Sequence, residues 1–424
     1  MSYCNKSSLG MMIFWLILAT STYSQGPLIE KCYPTLSTVI LHPIGLQTTT
    51  PFIPLVGGGL TFRFDDLEAD YKIYNLRIIH CTHDWWPSDL HPSEYIDGFY
   101  EIVITEMEDS FGSMVNYTHY KIDLPSVDMQ WTRSGNYCIE VYDPSVPEEV
   151  LIRKRFVVFE NLCSVEGKVK EPIKVSQKRT HQEVFFSVFE EGYSLLDPYS
   201  NLYALVLQNG RWDNAIGGLE PRFIKGRELD FSNVGYVFPG GNSFRFADLK
   251  SLSFTARGIA GISKGEFSFH HLLEPSERRT YKYHSYRPDI NGRFVISNDR
   301  FDAHTGSDYT RAHFNIPMPY KLHGREIFVF GDISGGRYLD THKLVWDDKS
   351  SSYKGSVFLK QGYYDFLYLV KNEGESYKKP GDTADLEGNH FSTDNLYSII
   401  IYFSDFEGYD RVVGFLQWNS RQQQ

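Results

Sequence analysis

The chain has 424 residues, 42% hydrophobic and 22% charged, so it is long enough for two to three cores and is not a disordered polymer. Lys and Arg number 42 against 53 Asp and Glu, giving a formal net charge of −11. With no basic run denser than Arg153-Lys154-Arg155, that balance excludes a general nucleic-acid-binding role.

In chain order the first expected element is an export signal. Lys6 supplies a positive start, Leu9 to Ala19 an apolar run, and Thr22-Tyr23-Ser24 small residues ahead of Gln25. Residues 1–24 therefore read as a signal peptide. The run falls short of the roughly 18 apolar residues of a spanning helix, and no later stretch reaches that length. An exported chain without a span of its own is expected. Past the signal lie Cys32, Cys81, Cys138 and Cys163. Export permits disulfides, and four cysteines allow three pairings. Buried thiols are the alternative, and both stay open.

Helical periodicity is scarce beyond the signal, and short β-type runs recur. They include 73–79, 99–105, 137–142, 156–159, 184–189, 202–208, 293–296, 327–330, 363–370 and 397–403. The aromatic share of 16% suits such half-buried strands. Turn signals separate them: Ser134-Gly135-Asn136, Asp143-Pro144, Asn209-Gly210, Pro239-Gly240-Gly241 and Asn291-Gly292. Asn209-Gly210 reads as the two φ > 0 positions of a type I′ hairpin turn. The expectation is an all-β chain of tandem immunoglobulin-like β-sandwich domains. Three blocks follow: 26–161, 162–302 and 303–421. The polar stretch Asp302 to Asp308 reads as a linker, and Gln422 to Gln424 as a tail.

Candidate chemistry is thin. His80-Cys81-Thr82-His83-Asp84 suggests a metal cluster, but on a strand the two histidines point to opposite faces. Asp65, Asp66, Glu68 and Asp70 lack calcium-loop spacing and read as a solvated loop edge. No nucleophile elbow, phosphate loop or dinucleotide fingerprint occurs; Gly241-Asn242-Ser243-Phe244 fails the elbow pattern at its last position. The reading is therefore no catalytic residue, no cofactor and no metal. Trp85, Trp86, Arg211 and Trp212 are the candidate partner-interface residues, because Trp and Arg dominate interface hot spots.

Several longer words carry a family resemblance. They are Arg179-Thr180-His181-Gln182-Glu183-Val184, then Leu207-Gln208-Asn209-Gly210-Arg211-Trp212-Asp213-Asn214-Ala215, then Phe238-Pro239-Gly240-Gly241-Asn242-Ser243-Phe244-Arg245. Upstream, Phe64-Asp65-Asp66-Leu67-Glu68-Ala69-Asp70-Tyr71 and Thr132-Arg133-Ser134-Gly135-Asn136-Tyr137 also fit. Downstream, Asp289 to Ile296 and Leu359 to Tyr364 fit as well. Together they resemble the plug proteins of the type IX secretion system of the Bacteroidetes. That resemblance implies a periplasmic, non-enzymatic subunit of a hetero-complex. Its partner would be the large outer-membrane β-barrel translocon, whose periplasmic opening it occludes when no cargo is engaged.

The third block separately resembles early-set immunoglobulin-like modules that bind glycogen or starch, through Ile327 to Asp332, Leu344 to Asp347 and Tyr353 to Leu359. Where those modules place a sugar-stacking Trp, this chain has Ile333-Ser334-Gly335-Gly336-Arg337-Tyr338. An exported carbohydrate-binding sandwich protein, with Tyr338 as its stacking residue, is the alternative reading.

Overall fold

The computed structural model describes residues 27–232, 235–299, 302–404 and 408–423. The expected signal peptide at 1–24 lies outside the described residues, as does Gln424 of the expected tail. The chain is all-β as expected, and each of the ten runs named above falls on a strand. Among the described residues no helix is long and apolar enough to cross a membrane.

The first sandwich faces one sheet against another. One sheet orders Leu36–Pro43, Leu60–Asp66, Thr118–Leu124 and Glu106–Asp109. The other orders Lys31–Cys32, Val150–Phe159, Gly135–Tyr142, Asn75–Cys81 and Glu101–Val103, with Phe52–Pro54 added parallel to Val150–Phe159. Leu60, Phe62 and Phe64 alternate along one strand and enter the core with no exposed area, as a period of two requires. Gly135–Tyr142 does not alternate, and all eight of its residues are buried. Its second face is covered by another sheet.

That covering sheet belongs to the second sandwich. It orders Ile216–Leu219, Leu202–Gln208, Leu396–Ser404 and Asp410–Asn419. Its own core partner is the sheet of Cys163–Lys170, His181–Glu190, Glu228–Asp230 and Phe223–Lys225. Strand pairing thus joins residues on either side of the expected 302/303 boundary: Leu202 to Gln208 pair residue by residue with Phe403 to Tyr397. The third unit lies between them in sequence. It is a nine-stranded sheet from Arg245–Asp248 through Gly362–Asn372 that folds around one core. The strands Arg245–Asp248, Ile259–Lys264 and Phe269–Leu273, expected in the second block, belong to it.

The stretch Asp302 to Asp308, expected as a linker, is a packed strap. Ser307 and Asp308 are buried, and the Asp308 carboxylate accepts the Met114 and Val115 amides at 2.6 and 3.1 Å. The Tyr117 hydroxyl donates to the Ser307 carbonyl at 2.7 Å. A polar sequence is buried here because each of these groups has a partner.

Candidate functional site at a three-way junction

The segment Gln208 to Asn214 stands where all three units meet. Asn209 and Gly210 take φ of 56° and 66°, the left-handed pair expected of Asn-Gly. The hairpin nevertheless closes later than a two-residue turn, since Leu202–Gln208 pairs with Ile216–Leu219 across the loop 209–215. The loop is longer because its side chains serve three neighbours.

Toward the second sandwich, the Asn209 amide nitrogen donates to Asn395 Oδ1 at 2.9 Å, and Asn209 Oδ1 accepts the Leu396 amide at 2.9 Å. Gln208 Nε2 donates to the Pro239 carbonyl and the Tyr397 hydroxyl. Toward the first sandwich, Trp212 stands edge-on to Trp85 at 4.8 Å and to Phe52 at 6.1 Å. The Arg155 guanidinium covers Trp85 at 4.4 Å and Trp212 at 6.0 Å. Toward the third unit, Arg211 grips Asp213 through two hydrogen bonds of 3.0 and 2.7 Å and lies over Phe330 at 4.8 Å. Asp213 then accepts the Tyr338 hydroxyl at 2.7 Å. Burial disfavours the Asp213 charge, yet Arg211 holds its carboxyl below the ordinary range. Gly210 permits the closest approach: a Cβ there would lie 2.5 Å from Arg293 Nη2 and 2.7 Å from Thr50 Cγ2.

Two further resemblance words, those of Gln182 and Arg245, lie near this crossing. Gln182, with no exposed area, donates to the Phe391 and Thr393 carbonyls at 2.7 Å each and accepts from Asn395 and Tyr397. Arg245 and Arg279 both clamp the buried Glu387 carboxylate. These words specify how the chain passes between units.

Of the four candidate partner-interface residues, the structure brings Trp85 and Trp212 together against each other, while Arg211 turns to Asp213 and Phe330. Trp85 is 5% exposed, and its aromatic surface is spent inside the chain. Trp86 is 41% exposed and points away. The cause is backbone. Trp85 has φ of 72°, unusual for a bulky residue, in a turn closed by its amide on the Thr82 carbonyl at 3.0 Å. Adjacent side chains leave such a turn in opposite directions.

The remaining candidates separate. His80 is buried on Ser88 and the Ser134 carbonyl, whereas His83 pairs with Asp410 at 2.8 Å and stacks on Tyr203 at 4.1 Å. Burial lowers the His80 pKa to about 4. The acidic run divides too. Glu68 and Asp70 are exposed, as expected of a loop edge, but Asp65 and Asp66 end a strand with no exposed area. Among the described residues, Asp66, Glu68 and Asp70 are the one carboxylate group that could hold a metal ion, and the Lys72 ammonium already pairs with all three. Tyr338, the candidate sugar platform, is 5% exposed with Lys371 over its ring at 4.5 Å, so it offers no free face. The four described cysteines are free thiols, with Cys81 and Cys138 sulfurs 3.9 Å apart in the seam.

Between the three units the junction leaves a cleft of about 580 Å3. Asn209 to Asp213 form one wall. Thr50 to Phe52 and Arg155 form the second, and Asn291 to Phe294 with Phe330 to Leu339 the third. The words of the first and third walls stood out in the sequence, but not that they face one another; Thr50 to Phe52 and Arg155 of the second wall belong to none of the resemblance words.

Behind the third wall, Asp365 accepts the Ile290 amide at 2.5 Å. Burial, with Asp289 nearby, raises its pKa to about 7. The folded chain thus binds a proton more tightly than the unfolded chain. Stability from this group is full below about pH 4, falls as pH rises toward 7, and stays reduced above. Asp365→Asn is expected to flatten that fall, by on the order of 3 kcal/mol between pH 5 and 8. Denaturant midpoints of both proteins across that range check it; parallel curves would contradict it.

Residues 36–160 match the family described as type 9 secretion system plug protein 1st domain. A crystal structure of a hypothetical protein from Parabacteroides merdae ATCC 43184 is similar over 93% of this chain and 100% of its own, with 28% identity and a TM-score of 0.88. An enterococcal surface protein N-terminal region (10% identity, 94% and 97% covered) scores 0.19. A manganese lipoxygenase structure from Gaeumannomyces graminis with partial zonadhesin of Komagataella pastoris (7%, 91% and 92%) scores 0.14. Neither of these two shares the fold at a level that bears on this chain. No curated protein matches the sequence. The first sandwich thus matches, over residues 36–160, the first domain of type 9 secretion system plug proteins, and this match supports the plug family as the one the chain resembles.

Proposed function

We propose that the chain is the periplasmic plug subunit of the type 9 secretion system, which binds the outer-membrane translocon barrel and occludes its periplasmic opening when no cargo is exported. The family match over residues 36–160 carries this reading. The three-way junction supports it physically. A stopper must resist deformation, and here an aromatic core joins the first and second sandwiches while the buried Lys360–Asp65 pair ties the third unit to the first. A barrel wide enough for folded cargo encloses an aqueous lumen that leaks unless closed. Binding must be reversible, which suits an interface of standard size with a few exposed aromatic anchors. Trp86 is the anchor of the original four that remains accessible.

Affinity purification of the barrel from detergent extracts is expected to recover this chain, and deletion of its gene to admit large solutes through the outer membrane. A chain found only as a free monomer, in both secreting and arrested cells, would overturn the reading.

A further inference from the structure

The cleft at the junction has a charge imbalance that the fold does not use. Three carboxylates line it, and each is matched to a cation: Glu30 with Lys154, Asp213 with Arg211, Asp332 with Arg293. Three cations are left over, namely Arg155, Arg337 and Lys378. Arg155 is held by the Leu28 carbonyl at 2.7 Å and by Trp85. Lys378 is exposed at the mouth. Arg337 differs from both. It is half-buried on the cleft wall and has no hydrogen bond, ion pair or ring contact among the described residues. A guanidinium on a cleft wall that makes no such contact has its hydrogen-bond donors open to a ligand. In a protein with net charge −11, positive excess inside one cleft is a local arrangement.

The lining also carries six aromatic residues, Phe52, Trp212, Phe244, Phe294, Phe330 and Tyr377, among polar ones such as Gln47, Thr49 and Ser376. Beside Arg337 the wall turns on Gly335 and Gly336, both left-handed at φ 62° and 66°, so no side chain stands over the guanidinium. The cleft volume of about 580 Å3 falls inside the range of about 300–1,000 Å3 of small-ligand sites, which pair apolar walls with a few placed polar groups.

We infer that this cleft binds a hydrophobic carboxylate, a group such as the C-terminal residue of a peptide presents, with Arg337 as the carboxylate-binding residue and the aromatic wall taking the apolar body. Guanidinium and carboxylate match in a planar two-bond fork. The ligand fills the space between the three units, so its binding ties them together. The inference needs no translocon and stands apart from the plugging role.

The test is calorimetric titration of the full chain with N-acetyl-phenylalanine, N-acetyl-leucine and N-acetyl-tryptophan, each beside its neutral amide. At least one acid is expected to bind, and to bind roughly ten- to hundred-fold more tightly than its amide, the margin of a charge-assisted pair. Arg337→Gln is expected to remove that margin while leaving amide binding and the unfolding midpoint nearly unchanged, because Arg337 makes no hydrogen bond, ion pair or ring contact among the described residues and Gln keeps much of its stem. Acid and amide binding equally, an unaltered margin in Arg337→Gln, or no heat from any acid up to about 10 mM, each overturns the inference.

Discussion

Lys360→Met is expected to destabilise the folded chain by about 3–5 kcal/mol, the cost of stranding a buried charge. Lys360 ends the strand Ser352–Lys360 of the third unit and has no exposed side-chain area. Its ammonium lies 2.7 Å from Asp65 Oδ2 and 3.9 Å from the centre of the Tyr117 ring, both in the first sandwich. Asp65 also accepts the Tyr309 hydroxyl at 2.6 Å and pairs with His119 at 2.6 Å. Burial alone would raise the Asp65 pKa, but Lys360 and then His119 more than offset it and hold the carboxyl below its ordinary value. For a depressed carboxyl, this stability is present above the unfolded pKa and lost as pH falls through the folded one.

In Lys360→Met the main offset is gone and burial wins, so Asp65 takes up a proton more readily. The deficit is therefore expected to be larger at pH 8 than at pH 5. Asp65→Asn combined with Lys360→Met removes both charges and is expected to cost less than the two single changes added together, as coupled partners do. Denaturant midpoints of the four proteins at both pH values measure this. A loss under about 1 kcal/mol for Lys360→Met, or additive costs, would show that the pair is not the bolt between first and third units.

Asp65 also shows where sequence reasoning stops. The run Asp65, Asp66, Glu68, Asp70 looks solvated because its neighbours are polar. Its true environment is set by Lys360, 295 residues away, and no local pattern carries that information. The alternation in Leu60, Phe62 and Phe64 was the available signal that a strand runs into the acidic cluster, placing Asp65 on the face opposite the core. By contrast, Leu202–Gln208 was legible to the residue, since its inward Leu202, Ala204 and Val206 follow period two and Asn209-Gly210 ends it. What it pairs with was not legible, because Leu396–Ser404 lies some 190 residues downstream and any apolar strand satisfies the same pattern. Asp302 to Asp308 misled for the same reason as Asp65: composition reports polarity, not whether partners exist. At the junction, Arg211-Trp212-Asp213 stood out because a hairpin needs only its turn. Of the residues it meets, Thr50 carries no signal, and Arg293 and Tyr338 stood in words read for other reasons, which did not reveal that they meet this loop.

Trp85 and Trp86 separate the fold from its proposed use, since they are adjacent and of one type. Trp85→Ala is expected to cost about 3–5 kcal/mol, the range for emptying a large aromatic site. The ring is edge-on to Trp212, covered by Arg155, and packed in the core shared by the first and second sandwiches. Trp85→Gly is expected to be no worse than Trp85→Ala, against the usual order. At φ of 72° an alanine keeps the strain that glycine relieves. Trp86→Ala is expected to cost less than about 1 kcal/mol, because Trp86 is 41% exposed and belongs to none of the buried cores. Under the plug reading the same substitution weakens recovery of the translocon barrel from detergent extracts. Unfolding midpoints and barrel recovery, measured on both single variants, give two independent columns. If Trp85→Ala costs under about 1 kcal/mol, the aromatic seam does not hold the units together. If Trp86→Ala is folded and recovers the barrel undiminished, the exposed tryptophan lies outside the contact and the stopper grips its barrel elsewhere.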